Sequence, residues 1–196
     1  MREMINMVVV LTLLTAVSGF LLSAVKSSTE VRIEEQVLQF QKAPAIAQIF
    51  PDGSITNDPL AERFNIETEN VTLQVFPALL EDGGKAVAFE TKGKGGYGGD
   101  IGLMVGIDMK TDQVIAVRVT THAETPGLGA RAKDDPEFVS QYDNQPLDAN
   151  FGLKADGGII DAISGATITS RAVTLAAIEA QKLYRELKPE IEKQIQ

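Results

Sequence analysis

Met4 to Val25 is a run of 22 residues without a charged side chain. It most constrains what this chain can become, because a helix of that length rises about 33 Å and a bilayer's hydrocarbon core is about 30 Å thick. Asn6, Thr12, Thr15, Ser18, Gly19 and Ser23 interrupt it only mildly, and small hydroxyl residues suit packing against another membrane helix. A cleaved signal peptide is the alternative, but Leu22-Ser23-Ala24 lacks the small residue that such a site wants at its first position. The length favours a retained anchor. Arg2 before the span and Lys26 after it nearly balance, so charge alone sets no orientation.

The chain therefore divides on paper into an anchor over 1–26, a helical connector over 27–66 and a folded domain over 67–196. Of the net charge of -9, Arg2, Glu3 and Lys26 contribute +1, which leaves -10 for the remainder. So acidic a domain is a poor nucleic-acid binder, where phosphate neutralisation dominates affinity. There is no cysteine and one histidine, His122. Disulfides, thiolate-bound iron–sulfur clusters, a cysteine nucleophile and a multi-histidine metal site are thereby excluded. If such a chain moves electrons, it needs an organic cofactor.

Glu30 to Phe50 reads as a helix, with Ser28 or Thr29 as its cap and Pro44 as a kink or break. Strands are expected over Val71–Phe76 and Ala86–Glu90. A hairpin joins Gly102–Asp108 to Val114–Val119 through Met109–Asp112. A short helix begins at Pro136. The apolar run Gly158-Ile159-Ile160 has strand character, and a last helix runs from about Thr169 to at least Leu187, before Pro189. Strands followed by a major helix predict an α+β domain with a mostly antiparallel sheet and packed helices, preceded by one N-terminal transmembrane helix.

Three stretches invite a ligand. Asp161 to Ser170 (DAISGATITS) leads into the last helix, with little side-chain bulk at Gly165 and Ala166 and hydroxyls at Ser164, Thr167, Thr169 and Ser170. A helix start offers unpaired N–H groups and the positive end of the dipole, which attract a phosphate. The same residues could equally be an N-cap cluster that only starts the helix. Gly93 to Gly99 holds five glycines around Tyr97, either a close approach to a ligand or a flexible hairpin loop with an anchoring tyrosine. His122 to Gly129 (HAETPGLG) places Leu128 after a Pro-Gly turn, covering a ligand or anchoring the loop in the core.

Asp161 followed by Ser164-Gly165-Ala166-Thr167 resembles the flavinylation motif of the FMN-binding domain family. His122-x-Glu124-Thr125-Pro126-Gly127-Leu128-Gly129 is similar to the second signature of that family, in the branch formed by subunits of sodium-pumping NADH dehydrogenase and of Rnf complexes. The resemblance implies FMN joined through its phosphate to the Thr167 hydroxyl by a flavin transferase, and no metal. N–H groups near Thr169 and Ser170 would solvate the phosphate, beside Ser164, Gly165 and Ala166. Tyr97 and Leu128 would pack on the isoalloxazine, and Glu124 and Thr125 would hydrogen-bond its polar edge or ribityl chain. It further implies membrane and redox partner subunits, with the amino terminus inside and the domain on the extracytoplasmic side. The complex as a whole would couple ferredoxin oxidation and NAD reduction to Na⁺ or H⁺ translocation. A membrane-tethered flavin sensor and a structural assembly subunit are the rival readings.

Overall fold

The structure, a computed structural model, describes residues 1–68 and 72–195. It forms two compact units, Met1–Phe40 and Gln41–Gln196.

In the first unit, helix α1 (Arg2–Val37) buries none of its residues. Within the helical path Arg2–Ile49 lies a window of mean hydropathy 2.4, which makes this one helix long and apolar enough to cross a membrane. No new helix starts at Ser28 or Thr29. Both hydroxyls instead donate back to the Val25 carbonyl at 2.9 Å, the arrangement such residues adopt inside a helix rather than at its cap. At Pro44 the α-helical path changes without leaving the helical region. A π-helical turn over Leu38–Lys42 leads into α2 (Ala43–Ile49), which places Pro44 in the first turn of α2. There its missing N–H costs nothing, and the wider turn relieves the clash with the preceding carbonyls.

The second unit is built on a six-stranded antiparallel sheet in sequential order: β1 (Phe64–Glu67), β2 (Thr72–Leu79), β3 (Lys85–Gly93), β4 (Ile101–Asp108), β5 (Gln113–Thr121) and β6 (Gln145–Pro146). The expected strands and hairpin are present, longer than the sequence suggests; Val71 lies outside the described residues. β1 and β6, four and two residues long, have no counterpart among the expected strands. They are edge strands too short to carry a periodic signal. The hairpin turn is fixed by Asp108, whose Oδ1 accepts from the Lys110 N–H at 2.8 Å.

Alternation along the strands creates two apolar faces. On one, Val75, Phe89, Val105 and Val117 stand in register across four strands and belong to the main core. On the other, Phe76, Ala88, Gly106 and Ala116 form the equivalent row. The small residues of that row let α2 come close: a Cβ on Gly106 would collide with Ile49 of α2.

The main face is covered by α5 (Thr167–Gln194), which follows the short helices α3 (Arg131–Asp134) and α4 (Pro136–Val139). Asp135 caps α4 by accepting from the Glu137 N–H at 3.1 Å. Ala172, Ala176 and Ala180, four residues apart, lie buried on one stripe of α5. Thr91 of β3 donates to the Ala176 carbonyl at 2.9 Å, and a Cβ on Gly93 would overlap the Ala172 carbonyl.

Two further details differ from the sequence reading. α5 continues through Pro189 to Gln194, because Leu187 and Ile191 on either side of the proline are both buried. Lys85 also caps the helix end by donating to the Ile195 carbonyl at 2.7 Å. Burial and capping outweigh one missing backbone bond. The run Gly158–Ile160 is no strand; it contributes a single bridge, Ile160 to Leu153, since only Ile160 turns inward.

The contact at Gly93 is testable. Gly93→Ala sets a methyl against a backbone carbonyl of a buried helix and should cost about 1–3 kcal/mol by overpacking, measured as a lower urea midpoint of the detergent-solubilised chain.

Candidate functional site

β3, β4 and β5 meet at one end of the sheet, where Gly93 pairs with Ile101 and Gly102 with Thr121. The glycine loop leaves β3 there and the His122–Gly129 loop leaves β5. Because Ala172 lies on Gly93, the first turn of α5 starts at that same end.

No side chain caps α5; its N-cap is Ala166. Gly165 turns the chain into the helix at φ 80°, a conformation that strains any residue with a Cβ. Ser170 is fully buried. Its hydroxyl donates to the Ala166 carbonyl at 3.0 Å and accepts from the Ile163 N–H at 3.0 Å, so it latches the turn. Thr167 differs. It is exposed, and among the described residues its hydroxyl has no hydrogen-bond partner.

Thr169 is buried and donates its hydroxyl to Glu124 Oε2. Glu124 Oε1 accepts from the Gly98 N–H at 2.8 Å. The backbone of the glycine loop runs so close to the second loop that a Cβ on Gly98 would overlap the Ala123 carbonyl. In the second loop, Gly127 has φ 73°, and the Leu128 and Ala130 N–H groups both donate to the Thr125 carbonyl. The backbone is thereby folded tightly and Leu128 is left 46% exposed, with Tyr97 across from it 74% exposed. Neither side chain is buried in the core.

Between these elements lies a cavity of about 360 Å³, within the usual range for small-molecule sites of about 300–1,000 Å³. Tyr97, Glu124, Thr125 and Leu128 line it from the loops, and Gly165, Ala166, Thr167 and Thr169 from the helix start. Gly129 and Ile168 line it too, and the sequence reading misses both. Gly129 could be suspected from its motif, whereas an isoleucine in a helical pattern reads as core. Ser164 is exposed and Ser170 is spent on the turn; neither lines the cavity.

Arg171, one turn into α5, grips Asp156 through two nitrogens at 3.0 and 2.9 Å. Lys154 pairs with Asp161 at 2.6 Å. Both of these cations are thus engaged by carboxylates. Among the described residues no cluster of His, Cys, Asp or Glu could hold a metal ion. A larger cavity, about 720 Å³, opens around Leu73, Lys92 and Leu175; Lys94 of the glycine loop lines it, and none of the candidate cofactor-binding residues does. Shifted ionisable groups also lie elsewhere. Burial pushes the Tyr142 phenol up, burial and then Asp112 do the same to Tyr184, and burial raises Asp143 against the opposing pull of Arg118.

Residues 96–182, from the glycine loop well into α5, match the family model described as FMN-binding domain. That stretch holds every residue that lines the cavity. Among curated relatives, the G subunit of the ion-translocating oxidoreductase complex of Pseudomonas aeruginosa (strain UCBPP-PA14) is 31% identical over 193 residues, covering 93% of this chain and 89% of its own. Its namesake from Haemophilus influenzae (strain PittEE) is 36% identical over 146 residues, 71% of this chain and 70% of its own. The chain belongs to the family of G subunits of ion-translocating oxidoreductase complexes. Among solved structures, the C subunit of the Na(+)-translocating NADH-quinone reductase from Parabacteroides distasonis aligns with a TM-score of 0.48 at 21% identity, over 65% of this chain and 68% of that one.

The two hydroxyls of the first turn should separate by stability. Ser170→Ala strands the buried Ile163 N–H and should cost about 1–3 kcal/mol. Thr167→Ala removes an exposed, unbonded hydroxyl and should stay within about 0.5 kcal/mol of wild type. Urea denaturation of chain made without a flavin transferase measures both.

Proposed function

We propose that this chain is a membrane-anchored flavoprotein subunit of an Rnf-type ion-translocating oxidoreductase complex, relaying electrons through FMN held by a phosphoester on Thr167. The observation that carries the reading is the state of Thr167. Its hydroxyl is exposed and unbonded, at an uncapped helix start, on the wall of a cavity framed by an aromatic and an aliphatic loop residue. An acceptor for a transferred phosphoryl group must be reachable and free, as Thr167 is; Thr169 and Ser170 are both buried and already bonded. The helix start supplies unpaired N–H groups and a favourable dipole for the phosphate. FMN, when bound, supplies the redox chemistry, and the protein holds and tunes it.

In this reading residues 1–26 anchor the chain, and the unit that begins at Gln41 forms the covalent FMN-binding domain on the extracytoplasmic side of the cytoplasmic membrane. A flavin transferase matures it, and further membrane and redox subunits surround it. The name shared by the curated relatives supports the assignment to such a complex. The complex would couple ferredoxin oxidation and NAD reduction to translocation of Na⁺ or H⁺, with this chain as a relay. Tyr97 and Leu128 cover the isoalloxazine in this scheme, and their exposure fits residues that await a ligand.

Co-expression with a flavin transferase followed by intact-mass measurement tests the attachment. Wild type and Thr169→Ala should carry the FMN mass and give a fluorescent band after denaturing electrophoresis; Thr167→Ala should give neither. FMN mass persisting in Thr167→Ala would end the assignment.

Tyr97→Ala and Leu128→Ala should keep the flavin in similar yield but shift its absorption or reduction potential, since apolar and aromatic packing of this kind is worth about 0.5–1.5 kcal/mol beyond area burial. Protease added to spheroplasts should digest the domain, and complete protection until lysis would reverse the orientation.

A further inference from the structure

Three segments of chain converge on one carboxylate. Glu124 is 6% exposed. Its Oε1 accepts from the Gly98 N–H at 2.8 Å, and its Oε2 accepts from the Thr169 hydroxyl. Its own N–H donates to His122 Nδ1 at 3.3 Å. The neighbouring glycines leave no room for a Cβ beside this carboxylate. A Cβ on Gly129 would stand 2.6 Å from Oε2 and 2.8 Å from Thr169 Oγ1, and one on Gly96 would stand 2.8 Å from Oε1. Among the described residues no cation pairs with Glu124. A carboxylate buried without a counter-ion is costly unless its oxygens are satisfied by donors, and here one donor comes from the glycine loop and the other from the helix. The same side chain lines the wall of the cavity.

We propose that Glu124 is a positioning residue with two consequences. It clamps the glycine loop, and Tyr97 with it, to the first turn of α5 at a fixed distance. It also sets a fixed negative charge beside the cofactor, lowering the cofactor's reduction potential. The clamp follows from geometry alone; the electrostatic part rests on the flavin reading of the cavity. An anion on the wall of a low-dielectric site disfavours the addition of an electron to a group beside it. Glu124 then acts on the flavin through its charge and through the loop it holds, while its oxygens stay committed to Gly98 and Thr169.

Two substitutions separate the consequences. Glu124→Gln keeps an acceptor for the Gly98 N–H and offers its amide to the Thr169 oxygen, so the clamp survives without the charge. Glu124→Ala removes both. The first readout is amide hydrogen exchange over residues 95–99 in full chain made without a flavin transferase, so it stands whether or not Thr167 carries FMN. Glu124→Ala should speed exchange at Gly98 by about tenfold or more, the loss expected for a hydrogen bond to a charged group, while Glu124→Gln should exchange as wild type. If Glu124→Ala does not fold, Thr169→Val removes one side of the clamp and should speed the same amides by a smaller factor. Wild-type exchange in the variant that folds overturns the clamp, as does Glu124→Gln exchanging as fast as Glu124→Ala. The second readout is the midpoint potential of the flavin-loaded protein, which should rise in Glu124→Gln. A potential equal to wild type overturns the electrostatic part.

Discussion

The contact on which the domain depends is that between the backbone of α5 and β3. Gly93 has no Cβ to keep the Ala172 carbonyl away, and Thr91 donates to the Ala176 carbonyl. With alanines along the buried stripe, the helix lies on the sheet at backbone distance instead of on a layer of large side chains. Such packing fixes both the angle and the axial position of a helix more strictly than interdigitating leucines would, because few atoms can shift to absorb an error. The larger residues further along the helix, Tyr184, Leu187 and Ile191, are buried and supply apolar area, roughly 1.5–3 kcal/mol for a large aliphatic side chain.

Axial position is what the site requires. The first turn of α5 must arrive at the end of the sheet where the β3–β4 and β5–α3 loops emerge, and the Gly93–Ala172 contact places it there. The two loops then close on the helix start through Glu124. Closure leaves Thr167 outside the hydrogen-bond network while Thr169 and Ser170 are absorbed into it. Three hydroxyls within four residues thus have three fates: one latches the turn, one meets a buried carboxylate, and one stays exposed with no hydrogen-bond partner among the described residues.

α2 covers the opposite face by a parallel device. Gly106 stands between Ala88 and Ala116, and Ile49 occupies the space that a side chain there would fill. The central strand β4 is accordingly buried along nearly its whole length, although alternation in its sequence is weak. A strand covered on both sides reads as a continuous apolar run, as Ile101 to Ile107 does.

The sequence by itself determined the apolar N-terminal helix, the antiparallel α+β character, the central hairpin and the three stretches that gather around one cavity. All of these depend on local signals: uninterrupted hydropathy, period-two alternation, Pro and Gly punctuation, and short motifs. Tertiary structure decided what local signals cannot carry. Pro189 looks like a stop, yet burial of Ile191 carries the helix past it. Ser28 and Thr29 look like caps but bond backward within a helix that had already begun. Gly158–Ile160 looks like a strand, and only one of its residues faces inward. Glu124 reads in sequence as a group for a ligand's polar edge; its two oxygens are taken by Gly98 and Thr169, 26 and 45 residues away. Which hydroxyl of the first turn remains free depends on those distant partners, and a chain read residue by residue holds no record of them.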